Sequence, residues 1–227
     1  MKLRRFETRA ALAAALEERL AQVLVTAVPD GSPVVMLSGG STPIPAYLNL
    51  AQRGLQAAPG LTVLFSDDRY VPSDSDQSNY HQSRPLFDSL RLEAAQVLRI
   101  RTELPLPAAT ADSEQQLQTL LAGDRRIGLG LLGLGADGHT CSLFSAQDLA
   151  RAVGRLAVSV HRPDGRDAVS VTPTVLERVD QLVFLVAGPD KRKALAALLA
   201  QDPALTAWNA VRGCAQVEVW ADAEALG

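Results

Sequence analysis

A chain of 227 residues, 47% of them hydrophobic, can bury the core of a large α/β domain, and no repeat, low-complexity tract or shift of composition marks a second one. A formal net charge of -3 without a basic block argues against a nucleic-acid partner, and no apolar run is long enough to span a membrane. Two cysteines, Cys141 and Cys214, are too few for a disulfide framework and lack metal-ligand spacing, so a reducing, cytoplasmic setting is expected.

In chain order, the opening residues set Glu7, Glu17 and Glu18 among apolar positions, which reads as an amphipathic helix and not as a signal peptide. Thr8 is its candidate N-cap, and Pro29-Asp30-Gly31 closes it after about Val28. A strand over 33–37 then enters Ser38-Gly39-Gly40-Ser41-Thr42-Pro43 and a helix over 44–56. The paired glycines let the loop amides turn inward, Thr42 can cap the helix, and Pro43 suits its first position. Free amides at a helix N-terminus attract an anion, and phosphate is the expected guest at Gly39, Gly40, Ser41 and Thr42. The Walker lysine is missing, so a nucleoside triphosphate is not implied.

A second strand, 61–65, leads into a polar loop over 66–77, after which Ser78 caps a helix reaching about Asp88. This loop puts Asp67, Asp68 and Arg69 just past a strand end. Paired carboxylates can hold a divalent metal, but Arg69 beside them already supplies a counter-charge, and no metal is expected. For Arg69 itself a substrate-anion contact and a structural ion pair are both open. Asp74 and Asp76 begin like a calcium loop, yet Asn79 stands where the turn glycine belongs and Pro85 where the bidentate glutamate belongs; a solvated turn fits better.

A short strand at 97–100, a proline-broken linker and a helix over 112–121 precede the stretch IGLGLLGLGADGHTCSLF at 127–144. Its apolar half reads as a buried strand, and its second half is a loop carrying Gly133, Gly135 and Gly138 with Asp137 and His139. Glycines allow a sharp turn close to a ligand, while an acid and an imidazole two residues apart supply proton chemistry. In an open α/β sheet such a loop lies in the crevice beyond the strand ends, where ligands bind. The same glycines spell G-x-G-x-x-G. However, 139–144 opens no clear amphipathic helix and no acid occurs over 149–160 to hold a ribose, so no dinucleotide cofactor is expected. Asp137 either biases the loop and the imidazole or caps local amides. Ser38, Ser41 and Ser142 lie outside a G-x-S-x-G elbow, and His81 and His161 read as surface residues. Strands at 156–160, 168–171, 182–186 and 217–220, with a helix from Gly188 through Ala200, extend a βαβ rhythm.

LSGGSTP at 37–43, DDRYVPSDSDQSNY at 67–80, LGLGADGHTCSLF at 132–144 and FLVAGPDKRKAL at 184–195 together resemble the glucosamine-6-phosphate isomerase/6-phosphogluconolactonase family, in the same order and nearly end to end. The resemblance implies a Rossmann-like, mostly parallel sheet with helices on both faces, in a single domain. It also implies metal-free, cofactor-free hydrolysis of a sugar-phosphate lactone, 6-phospho-D-glucono-1,5-lactone, to 6-phosphogluconate in the oxidative pentose phosphate pathway. Carried over by position, His139 is the general base with Asp137 beside it, Gly39 to Thr42 contact phosphate, Arg69 and Lys191 add positive charge, and Asp67 joins the substrate-binding set. The family's deaminase branch places a further acid shortly after the histidine, where this chain has Ser142-Leu143-Phe144 and no glutamate before Glu177. Departures from the lactonase pattern are Asp68 for a glutamate, Cys141 for a small residue such as alanine, and Ser145 for a proline. Relatives also carry an arginine directly before the strand, at about Ala168. Here Arg166 stands two positions earlier, on the same face of an extended segment but displaced by about 7 Å, and it is assigned to the phosphate.

Overall fold

The computed structural model describes residues 1–28 and 32–227. Its main sheet is parallel throughout and has seven strands: β1 (Lys2–Phe6), β2 (Val34–Leu37), β3 (Thr62–Phe65), β5 (Val97–Leu98), β6 (Ile127–Gly133), β9 (Val179–Val186) and β10 (Val217–Asp222). They lie in the order β1-β10-β9-β6-β2-β3-β5. The strands β4 (Asp67–Arg69), β7 (Ala157–His161) and β8 (Asp167–Val171) form a small antiparallel sheet in the order β4-β8-β7. Among the described residues, the helices are α1 (Arg9–Val25), α2 (Pro43–Ala51), α3 (Asn79–Ser89), α4 (Leu106–Leu120), α5 (Ala146–Ala152), α6 (Pro173–Leu176), α7 (Arg192–Leu199), α8 (Thr206–Val211) and α9 (Ala223–Leu226).

The two-residue period of a strand sends alternate side chains to opposite faces, and here both faces are buried. Val35, Leu37, Leu129, Leu131, Val183 and Leu185 meet Leu12, Leu16 and Leu20 of α1 and Tyr47 and Leu50 of α2 on one side. Val34, Met36, Leu132, Leu182 and Phe184 meet Leu117 and Leu120 of α4 and Leu195 and Leu198 of α7 on the other. This is the Rossmann-like, two-faced α/β architecture expected from the sequence. None of the helices is long and apolar enough to cross a membrane among the described residues.

Thr8 and Ser78 cap their helices as expected, accepting from the amides of Ala11 at 3.1 Å and His81 at 3.2 Å. Other boundaries differ. Lys2–Phe6, read with the first helix, is instead an edge strand parallel to β10, and α1 ends at Val25. The turn Pro29-Asp30-Gly31 lies outside the described residues. Asp67–Arg69 is a strand and not loop, pairing antiparallel with β8. Helix α4 starts six residues before the expected position 112, because Pro105 and Pro107 fall at its N-cap and first turn, where a missing N–H costs no hydrogen bond. Gly188 leads first into a 3-10 turn, Pro189–Lys191, and α7 follows.

The chain leaves β2 toward β3 and β5, then returns at β6 and proceeds to β9 and β10, beside which the N-terminal β1 forms the edge. The direction of winding therefore reverses between β2 and β6, and the crevice outside their carboxyl ends is where an open α/β sheet binds its ligand. Because β6 is central and buried on both faces, Leu131→Ala should lower stability by about 2–5 kcal/mol, read as a lower urea midpoint with an unchanged slope.

Candidate active site

At that switch point lies a cleft of about 370 Å³, walled by the loops that follow β2, β3, β6 and β9. Gly39, Gly40, Ser41, Thr42, Asp67, Arg69, His139 and Lys191 all line it, so the structure brings together residues that lie up to about 150 positions apart in sequence. Neither His81 nor His161 does; His161 Nδ1 pairs with Asp167 at 2.9 Å and is exposed.

In the β6 loop, Nδ1 of His139 lies 2.5 Å from Oδ1 of Asp137, and the same oxygen accepts from the His139 amide at 3.3 Å. Asp137 thus does both things left open by the sequence, binding the imidazole and capping its amide. Partial burial alone would raise the Asp137 carboxyl, but the imidazole beside it outweighs this and holds it below its usual range. Two glycines make room. A Cβ on Gly135 would sit 2.1 Å from Nδ1 of His139 and 2.3 Å from Oδ1 of Asp137, and Gly138 has φ +85° with Leu205 against it. The imidazole is backed by Phe144, whose ring centroid is 4.3 Å away. Nε2 has no partner among the described residues.

Across the cleft, no acceptor among the described residues meets the amides of Gly39, Gly40, Ser41 or Thr42. Gly40 has φ +109°, and Thr42 takes the N-cap position of α2 without using its side chain there, so its hydroxyl is uncommitted. Tyr47, fully buried, donates from its hydroxyl to the Ser38 carbonyl at 2.9 Å and pins the loop from below. Burial pushes that phenol well up and keeps it a donor. Arg69 donates to Oδ1 of Asn79 and, at 3.2 Å, to the Gln77 carbonyl. Asn79 in turn fills the space over Gly39, where a Cβ would lie 1.8 Å from its Oδ1. In the sequence it stands out only against the calcium-loop pattern and as part of the 67–80 motif, neither of which points to Gly39. Nζ of Lys191 reaches Asp190 at 3.1 Å on the rim, and Arg9, also unanticipated, donates to the Ala187 carbonyl at 3.3 Å.

The paired aspartates part company. Asp68 is 3% exposed and accepts from the amides of Arg69, Asn79 and Tyr80 and the hydroxyl of Ser78, which uses up its lone pairs in holding the loop to α3. Asp67 points the other way and accepts from Ser66 at 3.0 Å and Ser142 at 2.6 Å. Arg166 falls outside the lining; it donates to Gln77 and pairs with Asp164 at 3.2 Å, 43% exposed. The arginine that enters the cleft from the β7–β8 hairpin is Arg162, 14% exposed. It lies one residue past the first strand of the hairpin, across the turn from Arg166, and gave no sequence signal.

Fold and site thus define a doubly wound α/β protein whose switch-point crevice sets an imidazole–carboxylate pair opposite a cradle of free amides. The sequence pattern of the glucosamine-6-phosphate isomerases/6-phosphogluconolactonase family matches residues 7–220, and the chain belongs to that family. It is 35% identical over 184 residues to the 6-phosphogluconolactonase of Synechocystis sp., covering 76% of this chain and 73% of the relative. The crystal structure of 6-phosphogluconolactonase from Thermotoga maritima superposes with a TM-score of 0.80 at 27% identity, over 97% of this chain and 98% of that one. A monomeric glucosamine-6-phosphate deaminase, at 18% identity and a TM-score of 0.80, shares the fold over the whole of both chains.

The Gly39–Asn79 contact can be tested directly. Gly39→Ala forces a 2%-exposed side chain out of its place and takes the Arg69 anchor with it. The variant is expected to lose about 1.5–3 kcal/mol of affinity for a sugar phosphate by titration calorimetry, roughly the worth of one hydrogen bond to a charged group.

Proposed function

We propose that the protein hydrolyses 6-phospho-D-glucono-1,5-lactone to 6-phosphogluconate, as a cytoplasmic step of the oxidative pentose phosphate pathway, with His139 as general base. The observation that carries this reading is the imidazole, bound at Nδ1 by Asp137, facing an unsatisfied amide cradle across one crevice. The relatives at 30–35% identity named 6-phosphogluconolactonase support the choice of substrate.

A lactone is an activated ester, so its hydrolysis needs an aimed water, a base and donors for the developing oxyanion. With Asp137 accepting the Nδ1 proton, the neutral imidazole presents the lone pair of Nε2, which takes a proton from water. The depressed Asp137 carboxyl stays ionised at neutral pH, so it remains an acceptor for Nδ1 there. At the other end the amides of Gly39 to Thr42 face the phosphate, with the hydroxyls of Ser41 and Thr42 and the charges of Arg69 and Lys191 around it. Asp67 lies beneath, fixing Ser142. The segment Ser142-Leu143-Phe144, where the deaminase branch is expected to place its extra acid, carries none, and Phe144 packs on the imidazole there, which favours lactone hydrolysis over deamination.

His139→Asn keeps a polar side chain but removes the basic nitrogen. It should fold, still bind 6-phosphogluconate, lose at least about 10²-fold in kcat, and lose the acid limb of kcat/KM that a neutral base imposes. The assay is proton release from fresh lactone above the spontaneous rate, with ammonia release from glucosamine 6-phosphate as the competing readout. A folded variant within a few-fold of the parent would make a carboxylate, Asp67 or Asp137, the base. Lys191→Ala should instead raise KM by about tenfold or more with kcat little changed, since a contact with phosphate is the same in ground and transition states. Equal KM values would remove Lys191 from the site.

A further inference from the structure

Arg162 has no part in the chemistry above, yet it is the most constrained cation in the cleft. Its guanidinium lies over the Phe144 ring, with Cζ 5.2 Å from the centroid. Nε is held by Asp164 at 3.3 Å, Nη1 donates to the Ser142 hydroxyl at 3.2 Å, and that hydroxyl donates on to the buried Asp67. Nη2 has no partner among the described residues. A long side chain fixed at three points and left with free N–H groups in a cleft is preorganised to receive an anion, because the entropy of ordering it is lost before the ligand arrives.

Which anion follows from its neighbours. Arg69 is tied through Asn79 to Gly39 and so belongs to the amide cradle, the phosphate end. Arg162 shares the Phe144 ring with His139 and so belongs to the reacting end. We propose that Arg162 is a catalytic residue that binds the carbonyl oxygen of the lactone as it becomes an oxyanion, and afterwards the carboxylate of the product. This rests on the lactonase reading and adds a residue to it.

Water oxygen bonds to C1 while Nε2 of His139 takes its proton, and the carbonyl π pair moves onto the exocyclic oxygen, which Arg162 meets as a negative charge. The pair then returns, the bond from C1 to the ring oxygen breaks, and the imidazolium gives its proton to that oxygen, which leaves as a hydroxyl. The new carboxylic acid loses its proton to solvent, and its two oxygens suit the bidentate fork of a guanidinium.

The hairpin explains how the arginine comes to be there. Opposite residues of β4, β8 and β7 share a face, so Arg69, Ala168 and Val160 point the same way, and positions 162 and 166 continue that face beyond the strands. The amide of Arg162 donates to the Arg166 carbonyl at 2.8 Å, making the two arginines partners across the turn. One is folded into the cleft by Ser142 and Phe144; the other is drawn outward by Gln77 and Asp164.

The test uses Arg162→Gln and two competitive ligands that share the phosphate but differ at C1: 6-phosphogluconate, with a carboxylate, and glucitol 6-phosphate, with a neutral alcohol. The parent enzyme is assayed first, since a parent that does not accelerate lactone opening defeats the functional reading itself. Given an active parent, the variant should lose about 10²- to 10³-fold in kcat, as for removal of one oxyanion donor. It should bind 6-phosphogluconate at least tenfold more weakly and glucitol 6-phosphate as the parent does, a result that also shows the variant is folded. Near-parental kcat, or equal weakening of both ligands, overturns the proposal, and the latter makes Arg162 a phosphate contact. A crystal structure of the parent with 6-phosphogluconate decides the matter without a variant: carboxylate on Arg162 supports it, and phosphate there, or no contact, overturns it.

Discussion

The carboxylate of Asp68 fixes the geometry on which the site depends. It is buried at the junction of β4 and α3 and takes amides from both, together with the Ser78 hydroxyl. Burial, helped by the neighbouring Asp67 charge, pushes this carboxyl up, and the amides of Asn79 and Tyr80 and the Ser78 hydroxyl oppose the shift. A buried anion left without such partners would cost several kcal/mol, so the loop over 70–77 is free to vary only while its two ends stay locked on one group. From that lock the rest follows: Asn79 is delivered to Gly39, Arg69 to Asn79, and β4 to the register that pairs Arg69 with Ala168. Asp68 is thus structural in every contact it makes, while its neighbour Asp67, one residue along an extended strand, points to the opposite face and borders the cleft.

A second constraint is topological. A parallel sheet that reverses its winding leaves two loops diverging from adjacent strand ends, here after β2 and β6, and nothing of the sheet's own covers the gap. The two loops fill it with different devices. The β2 loop offers backbone amides, which carry partial positive charge at no cost in side-chain entropy and suit a dianion. The β6 loop offers side chains that exchange protons. Glycine serves both loops for separate reasons: at Gly40 the backbone turns through a positive φ, and at Gly135 the space is already taken by His139 and Asp137.

These two loops were legible in the sequence because each condenses its chemistry into a few consecutive residues at the end of an apolar run. What depended on pairing between distant segments was not. Asn79 looks like an ordinary first residue of a capped helix until Gly39 is brought beneath it, and Arg162 looks like part of a polar turn until β7 and β8 pair. Arg166 lies on the face expected of it, but Gln77 and Asp164 hold it outside the lining of the cleft. Strand β1 was hidden for another reason. Lys2, Arg4 and Arg5 on an edge strand deter pairing with other chains, and Arg4 covers Phe6 and Trp220 from outside, so the segment lacks the apolar signature of an interior strand.

Phe144 links the two halves of the proposed chemistry. A ring that touches the imidazole on one side and a guanidinium on the other keeps both in place without offering either a competing charge or hydrogen-bond acceptor. A carboxylate in the same place would pair with Arg162 and neutralise it. An apolar ring instead leaves the cation available to an oxyanion that exists only once water has attacked.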